Sequence, residues 1–281
     1  MGDGLWDMFP DGPSFGGATA NFACHAALLG GEVFMVSGMG KDERGEAALE
    51  VFRSKGVRTD LIQTLSSHPT GIVTVELDEL GIPHFTIGEN AAWDHWKWNS
   101  KIGEKVRAAD AVYFGTLGQR GRSAREGIRK ALEVATNKKI LRVLDINLRP
   151  PFYEDLLIRE SISHCTVLKL SDEELEPVCG ACAIDSSDST ESVLEVLRTK
   201  YGLDLVVMTQ GSEGAVLVAE GEVVNQPGIP AHVIDTVGAG DSFTASLTID
   251  LLNGRQEYRK ILQNACRVAA GVCSHPGAIP Q

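Results

Sequence analysis

Short β-branched apolar runs alternate along this chain with longer stretches whose apolar residues recur every three or four positions. The runs Val33–Val36, Ala111–Phe114, Ile140–Asp145, Thr166–Leu170, Leu205–Thr209 and Gly214–Val218 predict strands. The stretches Thr19–Leu29, Glu43–Lys55, Gly121–Asn137, Thr190–Tyr201 and Asp241–Leu252 predict amphipathic helices. Strands joined by helices of that length form right-handed βαβ units. The pattern therefore predicts an α/β fold, a three-layer α/β/α sandwich around a mostly parallel sheet. One region breaks the rhythm. Between Thr70 and Ile87, Ile72–Leu77 alternates, Asp78-Glu79-Leu80-Gly81 reads as a turn, and Ile82–Ile87 alternates again. That is a β-hairpin set into an α/β domain, and a candidate lid. Asp185–Thr190, rich in Ser and Asp, reads as a surface loop.

Charge and composition narrow the function. With 26 basic and 38 acidic side chains, the net charge of −12 repels phosphate backbones and anionic lipid, so neither nucleic acid nor a membrane surface is an expected partner. No apolar run approaches the roughly 18 residues of a membrane span. The opening Met1-Gly2-Asp3-Gly4 lacks a signal peptide's basic-then-apolar layout, and the expectation is a cytoplasmic protein with one domain over residues 1–281. Cys179-Gly-Ala-Cys182 has no second pair at zinc spacing, so its thiols are expected to be plain and reduced. The histidines are scattered, and no metal cluster is indicated.

Two glycine-rich segments carry the chemistry. Neither is a dinucleotide fingerprint, and Gly40-Lys41 is followed by Asp42 where a P-loop needs Ser or Thr. In Asp235-Thr-Val-Gly-Ala-Gly-Asp-Ser-Phe-Thr244, a strand end at Val233–Asp235 meets Gly238-Ala239-Gly240, and a helix opens at Asp241. Small residues there let N–H groups converge at a helix N-terminus, where the macrodipole favours an anion. Asp241 stands beside that anion, placed to take the proton of an attacking hydroxyl in phosphoryl transfer. The alternative for Asp241 is a plain N-cap. The second segment, Gly16-Gly17-Ala-Thr-Ala-Asn21, opens a helix that Gly30 ends; it allows close approach of a ligand, or simply a tight turn.

Together and in this order, these segments resemble the ribokinase-like (pfkB) family of carbohydrate kinases. The early signature is Gly16–Asn21 followed by Gly40-Lys-Asp42-Glu-Arg-Gly45; the late one is Asp235–Asp241. Leu5-Trp-Asp7-Met-Phe-Pro10, Asp145-Ile-Asn-Leu-Arg149-Pro-Pro151, Lys169-Leu-Ser-Asp-Glu-Glu174 and Gly277-Ala-Ile-Pro280 look most like fructokinases. The resemblance implies an ATP-dependent sugar kinase with a small β lid over residues 70–97 and part of 5–16. It implies Asp241 as base, with Gly238, Ala239 and Gly240 as anion hole. The acceptor would meet Asp7, Gly16, Gly17, Asn21, Asn90 and Arg149. ATP would meet Lys169, Glu174, Thr209, Gly211, Gly214 and Asn264. Mg²⁺ falls to Glu174, and a monovalent cation, K⁺, to Asp235 with the carbonyls of Val237 and Gly277.

The chain departs from the family pattern in places. The hydrophobic strand usual before Gly2-Asp3 does not stand in this sequence; Thr19 replaces a proline, and Ser171 an asparagine at the magnesium-linked position. Asp7 and Gly16 are only nine residues apart, so the expectation is that Thr70–Ile87 supplies most of the cover. Trp93, Trp96 and Trp98 are candidates to stack on a purine or sugar, or to pack the lid. Fructose is the expected acceptor; 2-keto-3-deoxygluconate, ribose and nucleosides are alternatives. A catalytically silent sugar- or nucleotide-binding regulator is the reading of a different class, and it would need a broken base or anion hole. A lid's apolar face implies a homodimer.

Overall fold

The computed structural model describes residues 1–10, 12–77, 83–254 and 257–279. In chain order a hairpin of β1 (Leu5–Phe9) and β2 (Gly12–Gly16) leads into α1 (Ala18–Leu28), then β3 (Phe34–Gly40), α2 (Glu43–Ser54) and β4 (Arg58–Leu65). Next come β5 (Gly71–Leu77) and β6 (Pro83–Ile87). The chain continues through α3 (Ser100–Arg107), β7 (Ala111–Gly115), α4 (Arg122–Asn137), β8 (Leu141–Asp145), α5 (Asp155–His164) and β9 (Val167–Ser171). The last third holds α6 (Asp172–Cys182), α7 (Thr190–Tyr201), β10 (Leu205–Thr209), β11 (Gly214–Ala219), β12 (Glu222–Pro227), α8 (Ala239–Leu252) and α9 (Tyr258–Cys273).

The central sheet runs β12-β11-β10-β9-β8-β7, parallel from β7 to β10 with an antiparallel pair at the β12 edge. Strand alternation divides its side chains between two layers. Phe114, Leu144, Leu168 and Val206 face α3 to α7, whereas Tyr113, Val143, Val167 and Val207 face α1, α8 and α9. Both faces are dry, which is why these strands read as continuous apolar runs. The parallel pair β3–β4 stands beyond β7, and residues 1–2 bridge the gap: Met1 N donates to Tyr113 O at 2.8 Å, and Gly2 N to Val36 O at 3.2 Å. Among the described residues no helix is long and apolar enough to cross a membrane.

A separate four-stranded sheet, β2-β1-β5-β6, forms beside the body. Here the structure corrects the expectation that Thr70–Ile87 supplies most of the cover. The nine-residue spacing still closes a hairpin, with Leu5 to Phe9 paired against Gly16 to Gly12, so β1–β2 contributes as many strands as β5–β6. The expected turn at 78–81 lies outside the described residues. Asp42 anchors the foot of β5: its carboxylate accepts Gly45 N at 2.8 Å, Thr70 Oγ1 at 2.7 Å and Thr70 N at 2.9 Å. The Gly40–Gly45 signature is thus a clamp between body and small sheet.

One further alternative is decided and one expectation corrected. Trp93 and Trp96 are fully buried and offer no face to a ligand, so the packing alternative holds: Trp93 packs against Ile87 of β6, and Trp96 and the partly buried Trp98 against the core of the body. Val233–Asp235 is not a strand end. Among the described residues no strand lies alongside to complete a ladder there, and Val233 and Ile234 are exposed while Ile234 N donates to Cys273 O at 2.8 Å.

Candidate active site

The strands β8, β9 and β10 meet the N-terminus of α8 at one place, through Asp145, Lys169 and Thr209. Gly238 caps α8 at φ 79°, and a Cβ there would stand 2.7 Å from Ala278 O, so only glycine fits without a shift. Ala239 N donates to Thr236 O and Ser242 N to Gly238 O. The N–H groups of Gly240 and Asp241 have no acceptor among the described residues, which leaves two donors at the positive end of the helix dipole.

Asp241 is not the cap; α8 has no side-chain cap. Its Oδ2 instead accepts Nδ2 of Asn21 at 2.8 Å, joining the first turns of α8 and α1 across 220 positions of sequence. Burial pushes the Asp241 carboxyl up to about 7; Asp145 adds to the rise, and the Asn21 bond and Lys169 pull against it. Asn21 Oδ1 is buried without a partner among the described residues. The carboxylate of Asp7, on β1 opposite Ser14, accepts no hydrogen bond among the described residues. Burial and the charge of Asp3 push its carboxyl up to about 6, against the pull of Arg149. A Cβ on Gly16 would lie 2.8 Å from Asp7 Oδ2, and one on Gly17 2.8 Å from Asp3 Oδ2. The glycine pair is therefore packed under these carboxylates.

A cleft of ≈ 490 Å³ runs from Thr209, Gly211 and Gly214 to Ala239 and Gly240, with Phe243, Cys266 and Ala270 along one wall. Lys169 reaches its Gly240 end. Against the burial that would lower it, Asp145, Glu174 and Asp241 hold the Lys169 ammonium above its ordinary value. A profile of the pfkB family of carbohydrate kinases matches residues 12–281. The chain belongs to that family.

Its relatives within the family are of mixed specificity. An Escherichia coli fructokinase is 25% identical, covering 99% of this chain and 94% of its own. An aminoimidazole riboside kinase of Salmonella typhimurium is 27% identical over 89% of this chain and 79% of its own. A Xylella fastidiosa fructokinase with bound ATP superposes at a TM-score of 0.86, 23% identical, covering 99% and 92% of the two chains.

Not every expected residue of this pfkB kinase reaches the centre. The Asn264 amide donates to Asp250 at 2.8 Å and Ser246 at 3.2 Å, between α9 and α8, and does not line the cleft. Asn90 Oδ1 accepts the His95 ring at 2.7 Å on the exposed end of the 70–90 segment. Arg149 is exposed, its Nη1 donating to Leu148 O at 2.9 Å. Glu174 accepts Leu148 N at 2.7 Å and Ser171 N at 2.8 Å. Each of its oxygens keeps a lone pair, which suits a Mg²⁺ held mainly by phosphates and water; no group of three potential ligand side chains occurs among the described residues. Asp235 accepts Val237 N at 3.0 Å and Gly277 N at 2.9 Å, tying the anion-hole loop to the C-terminal loop. Sequence reasoning missed Asp145 and Thr244. The polar residue ending the run Leu141–Asp145 was the available signal.

Proposed function

We propose that the protein transfers the γ-phosphoryl group of ATP to a hydroxyl of a neutral sugar, with fructose the leading acceptor. The observation that carries this reading is Asp241: a carboxylate at the open N-terminus of α8, oriented by Asn21 and released from capping. ATP would lie in the cleft with its phosphates at Gly240, and the acceptor would sit between Asp7 and Asp241. The N–H groups of Gly240 and Asp241 would meet charge on the moving phosphoryl group, while Asp241 takes the hydroxyl proton. Mg²⁺ at Glu174 supplies neutralisation of the β- and γ-phosphate charge.

The negative charge of Asp3, which bears on both Asp7 and Asp241, favours an uncharged acceptor over a sugar acid such as 2-keto-3-deoxygluconate. Ribose and nucleosides stand next. An acceptor panel tests this: kcat/KM is expected to rank fructose first and the acid last, and the reverse order removes the assignment. A cytoplasmic homodimer joined through the small sheet, where β6 exposes Phe85, belongs to the same reading. Light scattering of the purified protein decides the dimer.

Asp7→Ala is expected to raise the sugar KM roughly tenfold or more, since a hydrogen bond to a charged group is worth about 1.5–3 kcal/mol, and to leave the ATP KM near wild type. An unchanged sugar KM would reassign Asp7 to structure. The raised carboxyls set a pH dependence. The base must be ionised, so kcat/KM for the sugar should be flat above pH 7 and fall about tenfold per unit below it. Protonation of Asp7 near pH 6 steepens the fall. A profile flat down to pH 5 would contradict both assignments. K⁺ is expected to raise turnover, because Asp235 keeps a free lone pair on each oxygen at the loop that shapes the anion hole. Equal rates in K⁺ and in a bulky organic cation would remove the cation site alone.

A further inference from the structure

Asp145 ends β8 and its register partner Lys169 stands in the middle of β9, both on the face where Val143 and Val167 are core, so both polar groups point toward α1 and α8 and away from solvent. Their side chains are 1% and 8% exposed, and Lys169 Nζ lies 3.1 Å from Asp145 Oδ1. Taking two charges out of water costs about as much as their attraction returns, so such a pair is poorly explained by stability alone. Its placement is specific. A Cβ on Gly240 would stand 3.1 Å from Lys169 Nζ, so the ammonium fills the space beside the anion hole that glycine leaves. Thr244, one turn after Gly240 in α8, places its hydroxyl 2.9 Å from both Asp145 Oδ2 and Gly240 O. The lysine, the aspartate and the helix N-terminus are thus held as one unit across 99 positions of sequence.

We infer that Asp145 and Thr244 are positioning residues for phosphoryl transfer, holding the Lys169 ammonium at the Gly240 backbone where the moving phosphoryl group gathers charge. The inference rests on the kinase reading above. A preorganised charge at that point acts in the transition state and hardly at all on ground-state binding.

The test is steady-state kinetics of the full chain with Mg-ATP and fructose. Asp145→Asn should lower kcat about 30-fold or more, with both KM values within about threefold of wild type. Lys169→Met should lower kcat further, and adding Asp145→Asn to it should cost less than about threefold more, because the aspartate acts through the lysine. Multiplying losses in the double variant, or a changed KM with unchanged kcat, would overturn the inference. If the unpaired lysine prevents Asp145→Asn from folding, Thr244 decides: Thr244→Val should lose about five- to tenfold in kcat and Thr244→Ser should recover it. Equal rates for those two variants would overturn it as well. A wild-type protein without turnover on any sugar would remove the kinase reading and this inference with it; an active wild type whose variants behave otherwise would remove the inference only.

Discussion

Asp241→Asn is expected to lower kcat at least about a hundredfold while fold and substrate binding stay close to wild type, because general-base catalysis is commonly worth about 10²–10⁴ in rate. The substitution keeps the side chain's size and can keep its bond to Asn21. It costs α8 no cap, since Gly238 occupies the cap position. Stability should move the other way. A carboxyl whose folded-state value is raised contributes most to stability below its ordinary 3.8 and loses that contribution as pH rises through about 7. At pH 8 the asparagine variant should therefore melt no lower than wild type. Loss of turnover together with a lower melting temperature would mean that Asp241 is a structural residue. More than a tenth of wild-type kcat, with binding confirmed, would place the base elsewhere.

Gly238→Ala should have the next largest effect, and it should strike rate and stability together. The position has φ 79°, where an L side chain costs about 1–2 kcal/mol. The added methyl would also meet Ala278 O at 2.7 Å. That carbonyl cannot easily yield, because the His25 ring holds it at 2.8 Å. The loop must move instead, and misplacing an active-site group by about 1 Å costs on the order of a hundredfold in rate. The melting temperature should fall by about 2–4 °C for each kcal/mol lost in a domain of this size. Wild-type kcat in this variant would show that the Gly238–Gly240 turn is not the anion hole.

The parallel strands β7 to β10 were legible because burial on both faces leaves an uninterrupted apolar run. α9 was not. Its buried Ile261, Leu262, Ala265 and Cys266 do recur at helical spacing, although two of the four are small. β2 was hidden by Gly12 and Pro13, residues that argue against a strand until β1 is seen to pair with them. At the site, Asp241 announced itself through the glycines on its N-terminal side. Its bond to Asn21 did not, because that residue arrives from another part of the chain. Asn264 is a case of the opposite kind. Nothing local reveals that its amide is already held by Asp250.

Phosphoryl transfer to a sugar is proposed to occur at Asp241. The most direct test is ADP release from Mg-ATP by the wild-type protein, measured with and without fructose, ribose or a nucleoside, beside Asp241→Asn. ADP should form only when a neutral sugar is present, in equal amount with a sugar phosphate, and the variant should nearly abolish it. ADP release that no acceptor stimulates, or that Asp241→Asn leaves intact, would contradict the account.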